Sequence, residues 1–280
     1  MMKQDNASHM RFLEAMQAHL SENISLQTVY APFQQALFKK KDFSNRIVVA
    51  IGTDAALEIS KHRFSAPVIL NLVPKATVDH ILLRLDEQTK PQISAIYLDQ
   101  PFRRQVSFIK HALPQYHTVA LLFGPTSVSF KENALNLLDE RHLDYQHYYV
   151  ENENDLFHSL NMVTSRQHVF LVLPDPMLFT RRTVPHILLN SYRSRMPVIA
   201  HSKAYVQAGA LAAIFSTAEQ LGEQAAAHLL NVVENKKNTP QFAYPAQFSV
   251  TINQQVSRSL GLFLDRELDL IEKIQEDGQR

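Results

Sequence analysis

The sequence predicts an α/β protein of two open lobes in series, each built on a mainly parallel sheet. Short apolar runs rich in Val and Ile alternate with segments whose apolar residues recur at helical spacing, which is typical of βα units. This alternation reaches about five strands by Pro101 and then begins again. The length of 280 residues also exceeds one typical domain. We therefore expect two lobes.

In the first half, Phe12, Leu13, Met16 and Leu20 lie on one predicted helical face. The segment "ISLQTVYAP" alternates as a strand would, and three further apolar runs predict the strands that follow. Those runs are "RIVVAIG", "APVILNLVP" and "ISAIYLDQP", with a helix predicted near "TVDHILLRL" between the last two.

The second half repeats the pattern. Strands are predicted at "TVALLFGPTS", "YQHYYVEN", "VFLVLPDP" and "PVIAHS", with helices at "FRRQVSFIKHAL", "FKENALNLLDERH", "NDLFHSLNMV" and "VPHILLNSY". A short helix, the buried strand "ALAAIF", a long helix and a closing strand with a helical tail complete the chain. Linkers are expected near "LDQP" and "IFSTA".

Composition narrows the function classes. Lys and Arg number 28 against 27 Asp and Glu, so no broad charge footprint for nucleic acid or an anionic membrane is present. The absence of cysteine removes thiol nucleophiles, disulfides and zinc–cysteine sites, and it suits an oxidising compartment. No apolar run reaches the roughly 18 residues that a membrane span needs. The six glycines form neither common nucleotide-binding loop, and neither GxSxG nor HExxH occurs.

The stretch "RIVVAIGTDAALEI" turns from a strand through Gly52 into a helix. Such a turn points free N–H groups at an anion, so it serves a nucleotide or a small ligand equally well. In open parallel sheets, the residues that follow the strands reach the ligand. This rule selects the candidate ligand-binding residues Asn6, Thr53, Asp54, Asn71, Asp99, Gln100, Thr126, Ser127, Asp175, Ser202 and Tyr205.

These candidates are hydroxyls, amides and carboxylates without a paired acid and base at fixed spacing, which indicates a ligand cage rather than a reaction centre. The serines and threonines among them are equally suited to cap helices. Asp175 is as readily a helix cap as an acid or base. The 13 histidines show no metal-ligand spacing, so neither a metal nor a cofactor is expected.

Four stretches resemble the substrate-binding proteins of ABC transporters, of the uncharacterised-transport-system type related to an aromatic amino acid binder. They are "AIGTDAALEISKHRFSAPVILNLV", "ISAIYLDQPFRRQVSFIKHALPQYHTVALLFGPTS", "PVIAHSKAYVQAGALAAIFSTAEQLGEQAAAHLLNVVENKK" and "FSVTINQQVSRSLGL". The third stretch is the most specific, and together they span nearly the whole chain.

The resemblance implies the type I periplasmic-binding fold, with two Rossmann-like lobes joined by three crossovers. Residues 1–99 with 218–244 would form one lobe and 102–216 with 247–280 the other, with hinges near 99–102, 215–218 and 244–247. It further implies hinge closure around a small polar ligand such as an amino acid, no chemistry on that ligand, a membrane permease as partner, a monomer, and a periplasmic location. An acidic side chain (Asp54, Asp99 or Asp175) would hold the ligand's amine, and Tyr205 would pack on its side chain.

The sequence departs from this family at two places. Residues 1–4 are only a stub of the family's first strand, and no secretory signal precedes them, so export is inferred from the family alone. The segment "HSKAY" replaces a more acidic turn, which allows a ligand other than an amino acid. Two alternatives stay open: a sensory or regulatory lobe of the same fold, and an enzyme on the same scaffold, which no motif supports.

Overall fold

A computed structural model describes residues 7–21, 23–28, 46–62, 66–234 and 241–278. The chain divides into two compact units, Met1–Asp99 with Ser216–Gln247 (unit 1) and Gln100–Phe215 with Phe248–Arg280 (unit 2). The backbone therefore passes between the units after Asp99, after Phe215 and after Gln247.

The described elements follow one another as alternating helices and strands. Up to the first passage they are α1 (Ala7–Ala18), β1 (Val48–Ile51), α2 (Thr53–Ile59), β2 (Val68–Val73), α3 (Lys75–Arg84) and β3 (Ile93–Tyr97). Up to the second passage they are α4 (Phe102–Ala112), β4 (Thr118–Phe123), α5 (Lys131–Glu140), β5 (Asp144–Tyr149), α6 (Glu153–Val163), β6 (His168–Leu171), α7 (Thr183–Arg193), β7 (Val198–Ala200), α8 (Lys203–Ala208) and β8 (Ala212–Phe215). The chain ends with α9 (Ala218–Val233), β9 (Phe242–Ala243), β10 (Ser249–Ile252), α10 (Gln254–Leu260) and α11 (Glu267–Gly278).

In unit 1, the described strands form a parallel sheet in the order β1-β2-β3-β9. Apolar side chains cover both faces of this sheet, as expected for parallel strands. Phe12 and Met16 of α1 pack with α9 on the face that carries Ile51, Ile69 and Ile96. Helices α2 and α3 cover the opposite face. The helical face predicted for Phe12 and Met16 is thus the one that packs on the sheet.

In unit 2, six strands run in the order β10-β8-β7-β6-β4-β5. Only β10 pairs antiparallel, with β8, and the other pairs are parallel. Separate apolar clusters fill the two faces, one around Phe108 and Phe123 and the other around Phe170 and Val198. The predicted mixed α/β class with parallel sheets is confirmed.

Two local features differ from the sequence prediction. The described part of "ISLQTVYAP", residues 24–28, contains no strand, and its remainder lies outside the described residues. The two-residue strand β9 has no counterpart among the strands predicted from the sequence; it pairs with β3, where the side-chain amide of Gln241 donates to the carbonyl of Ile93 at 2.8 Å. A long-range backbone partner, rather than a local pattern, creates this strand.

Candidate ligand-binding residues

In unit 1, the described candidate residues lie near the carboxyl ends of β1, β2 and β3, which are neighbours in the sheet. Because these strands are parallel, their carboxyl ends meet at one edge, where polar groups from separate parts of the chain come together. Asn6 was also predicted for this edge, and it lies outside the described residues.

Gly52 makes the turn from β1 into α2. Its φ of 89° favours glycine, and its N–H donates to the Asn71 carbonyl at 2.8 Å. A Cβ at Gly52 would lie 2.7 Å from the His9 ring, so no larger residue fits without displacing that ring. Thr53 opens α2 and is half-buried, whereas Asp54, in the first helical turn, is exposed.

Asn71 was predicted to follow β2, and it lies inside that strand. It pairs in register with Ile51 and Ile96, and its side chain is 1 % exposed. The strand runs on to Val73 through a register shift at Leu72, whose φ is 55°. Among the described atoms, the side-chain oxygen of Asn71 is buried without a hydrogen-bond partner. An unpaired buried oxygen is costly, so it marks this strand end as a site of local strain.

Asp99 stands at the last position of the first segment of unit 1. Its carboxylate accepts the N–H of Lys75, the first residue of α3, at 2.5 Å. Burial raises the pKa of Asp99, and the Lys75 N–H opposes this shift because it stabilises the ionised form. Tyr97 lies nearby, its ring 5.1 Å from that of Tyr244 and its pKa raised by burial to about 12.

Gln100 begins unit 2 and is 4 % exposed. Its side-chain oxygen accepts from the guanidinium of Arg104 at 2.6 Å, and its backbone carbonyl accepts from the side-chain amide of Gln105 at 2.9 Å. Arg104 also stacks over the ring of Phe248, at 4.6 Å. Gln100 is therefore held by its own unit at the first residue after the chain passage.

Thr126, Ser127 and Asp175 come together in unit 2, because the turns that bear them follow the neighbouring strands β4 and β6. The carboxylate of Asp175 accepts the Ser127 N–H at 2.9 Å and the Ser127 hydroxyl at 2.8 Å. It also accepts the Thr126 N–H at 3.2 Å. The structure thus joins two predicted site segments that are 48 residues apart in the sequence.

Ser202 and Tyr205 follow β7, the next strand along the same edge. Ser202 stands at the N-cap of α8 without a side-chain capping bond. The ring of Tyr205 lies 4.9 Å from that of His201, and burial raises the Tyr205 pKa to about 12. Burial also lowers the pKa of His201 to about 4, so this imidazole is neutral near neutral pH.

Sequence reasoning missed two histidines at these edges, His9 and His201. His9 lies against Gly52, and one of its ring nitrogens is buried without a partner among the described residues. Burial lowers the pKa of His9, and the charge of Asp54 acts in the opposite direction. Neither histidine belongs to a motif with metal-ligand spacing. His201 does directly follow the apolar strand β7, so the rule that residues after parallel strands reach the ligand could have selected it.

The described residues form neither a metal-binding cluster nor a membrane-spanning helix. They contain no group of three or more His, Cys, Asp or Glu side chains placed to hold a metal ion. Among the helices that the structure describes, none has the length and apolar character needed to cross a bilayer.

The two sheets define the class of protein: an α/β protein of two units, each with parallel strands and polar residues near the strand ends. A family model described as "ABC transporter substrate binding protein" matches residues 17–271. The chain belongs to this family. No curated protein matches the chain.

Solved structures share the fold over nearly the whole length. An open, ligand-free substrate-binding protein with adhesive properties from Clostridium difficile is 16% identical, with a TM-score of 0.69 over 94% of each chain. An ABC domain in complex with L-Trp from Streptococcus pneumoniae is 18% identical, with a TM-score of 0.63 over 97% of this chain and 96% of that one. A conserved domain protein from Vibrio cholerae is 15% identical, with a TM-score of 0.64 and the same two coverages. These likenesses agree with the type I fold that the sequence predicts.

Proposed function

We propose that this chain is the solute-binding component of an ABC importer and binds a small polar ligand, an amino acid or a similar molecule. The observation that carries the proposal is the pair of carboxyl edges, each supplying polar side chains from separate strands: Asp54 and Asp99 in unit 1, and Thr126 and Ser202 in unit 2. Such convergent polar groups on rigid elements are typical of small-ligand sites.

In this proposal, the two units close on the ligand about the three chain passages, and the closed form docks on a membrane permease. The passages after Asp99, Phe215 and Gln247 support this, because a hinge needs only a few residues where the chain leaves one unit. We further propose a monomer that acts outside the cytoplasm and performs no chemistry on its ligand. Family membership supports these points.

An amino acid as ligand is supported by carboxylates and hydrogen-bond donors at the same edges. Asp54 is exposed, and Asp99 lies at the end of the first segment of unit 1, so either carboxylate suits a ligand ammonium group. Tyr205 offers a ring for the side chain. The Streptococcus pneumoniae relative holds L-Trp, so this amino acid belongs among the first compounds to test.

A thermal-shift screen against amino acids, short peptides, sugars and organic anions tests the proposal. A ligand at 100 times its dissociation constant should stabilise the folded chain by about 2.7 kcal/mol. Stabilisation by an amino acid would support the proposed ligand class, whereas stabilisation only by a sugar would contradict it.

Two substitutions test the unit 1 residues. Asp54→Ala and Asp99→Asn should weaken binding of an amine-bearing ligand by about 10-fold or more, since a charge-assisted hydrogen bond is worth about 1.5–3 kcal/mol. Asn at position 99 keeps an acceptor for the Lys75 N–H. Asp139→Asn, on the exposed face of α5, is the matched control. Unchanged affinity in both variants by calorimetry would remove these residues from the site.

A further inference from the structure

Asp175 follows β6 in unit 2 and is 2 % exposed. Its Oδ2 accepts three hydrogen bonds, from the N–H of Thr126 at 3.2 Å, the N–H of Ser127 at 2.9 Å and the hydroxyl of Ser127 at 2.8 Å. Its Oδ1 accepts the N–H of Met177 at 3.0 Å. The protein's own donors therefore surround this carboxylate.

The turn of residues 124–127 closes around Asp175. The Ser127 hydroxyl donates to Oδ2 of Asp175 and accepts the N–H of Gly124 at 2.9 Å, so both of its roles are filled. A Cβ at Gly124 would lie 2.7 Å from Oδ2 of Asp175 and 2.7 Å from Leu178. Gly124 thus permits the close approach that brings the turn onto the carboxylate.

Thr126 differs from its two neighbours in the network. Its backbone N–H is bonded to Asp175, but its hydroxyl makes no hydrogen bond within the described part of the chain, and its side chain is half-buried rather than buried. Among the side chains of this turn and Asp175, the Thr126 hydroxyl is the polar group left to face a ligand.

We infer that Asp175 is a positioning residue, which orders the 124–127 turn so that Thr126 meets the ligand, and that Asp175 itself does not contact the ligand. This inference rests on the proposed function and deepens it. The Asp175 carboxylate is 2 % exposed and already accepts four hydrogen bonds from its own unit, so little of it is accessible to the ammonium group of an amino acid. Asp175 therefore affects ligand binding only indirectly, by fixing the backbone of the 124–127 turn.

Asp175→Asn separates positioning from direct contact. The amide of Asn has one oxygen and one NH2, so in either orientation the NH2 faces at least one N–H donor, of Met177 or of the turn. The turn should loosen although the side-chain volume is kept. Ser127→Ala removes one donor to the carboxylate and the acceptor for the Gly124 N–H while keeping the Asp175 side chain, so it loosens the same turn by a milder change.

The decisive measurement compares two probes, L-tryptophan and indole-3-propionate, which lacks the amino group. If Asp175 only positions the turn, each variant should lower the affinity for L-tryptophan and for indole-3-propionate by the same factor. For Asp175→Asn this factor should be about tenfold. Direct contact with the ammonium predicts that Asp175→Asn weakens only L-tryptophan, and that result would overturn the inference. Thr126→Val should lower the affinity for both probes without changing the urea concentration at the midpoint of unfolding.

Hydrogen exchange supplies a readout that needs no ligand. The amides of Thr126 and Ser127 should exchange at least about tenfold faster in Asp175→Asn than in the wild type, with α10 and α11 unchanged. Unchanged exchange at the turn would overturn the inference whatever the probes do. A wild-type chain that binds no member of the amino acid panel would overturn the proposed ligand class. Hydrogen exchange alone would then decide whether Asp175 orders the turn.

Discussion

Gly222 of α9 lies directly against α1, and Gly222→Ala tests how far unit 1 depends on that close approach. A methyl group there would overlap the carbonyl oxygen of Phe12 and lie 3.0 Å from the Cβ of Ala15 and 3.1 Å from the N of Met16. Two of these three atoms belong to the backbone of α1, so no side-chain rotation relieves the overlap. Helix α1 must move away from α9.

The size of the effect follows from two opposing terms. Overpacking of this kind costs about 1–3 kcal/mol, and Ala in place of Gly in a helix interior returns up to about 1 kcal/mol. The net loss is about 0–3 kcal/mol if α1 shifts and remains packed. Phe12 and Met16 are 0% and 1% exposed, so complete detachment of α1 would cost about 3–6 kcal/mol in lost burial.

Urea unfolding followed by circular dichroism measures this loss, and hydrogen exchange of α1 locates it. Gly278→Ala is the matched control, because a Cβ at the last residue of α11 meets no atom within 4 Å. That variant should keep or slightly raise the unfolding free energy. A Gly222→Ala chain as stable as the wild type, with α1 equally protected, would refute the close-packing account.

Other perturbations have equally defined outcomes. Thr217→Ala should lower the unfolding free energy by about 1 kcal/mol, since Thr217 caps α9 through the N–H of Gln220, and an unmoved urea midpoint would contradict that capping role. Acidification should destabilise the fold, because burial lowers the pKa of His228 and that of His201 to about 4. The stability contributed by these neutral histidines is complete above their ordinary pKa of 6.5 and is lost as the pH falls below that value. An NMR titration that placed the pKa of His201 near 6.5 would contradict this expectation. Binding of an amine-bearing ligand should weaken on acidification at a pH above 3.8, because burial raises the pKa of Asp99, and calorimetry on Asp99→Asn should lack this step.

Local patterns predicted most elements of the fold because parallel strands buried on both faces are continuous apolar runs. The runs around Val48, Val68 and Val198 became β1, β2 and β7 for this reason. Strand β9 has no such run, and it exists because Gln241 and the backbone of β3 hold it. Leu72 sits in the middle of an apolar run, so no sequence signal marks its left-handed conformation.

The candidate site was predictable only as a set of positions. The strand-end rule names Ser127 and Asp175 separately, but their mutual hydrogen bond depends on β4 and β6 being neighbours, which the sequence order does not reveal. His9 stands in a helix, outside the rule, and only the folded chain brings its ring to Gly52. The local sequence pattern therefore predicts which residues are candidates, whereas the contacts of each candidate depend on long-range packing that only the folded chain shows.

The acidic side chains at the two edges differ in what already binds them. In unit 2, Asp175 accepts four hydrogen bonds from its own unit and is 2 % exposed. In unit 1, Asp54 is exposed and Asp99 accepts the N–H of Lys75 at the start of α3. A carboxylate must keep an accessible oxygen to hold an ammonium group. Under the proposed function, Asp175 is therefore the least suited of these three carboxylates to hold the ligand's positive charge.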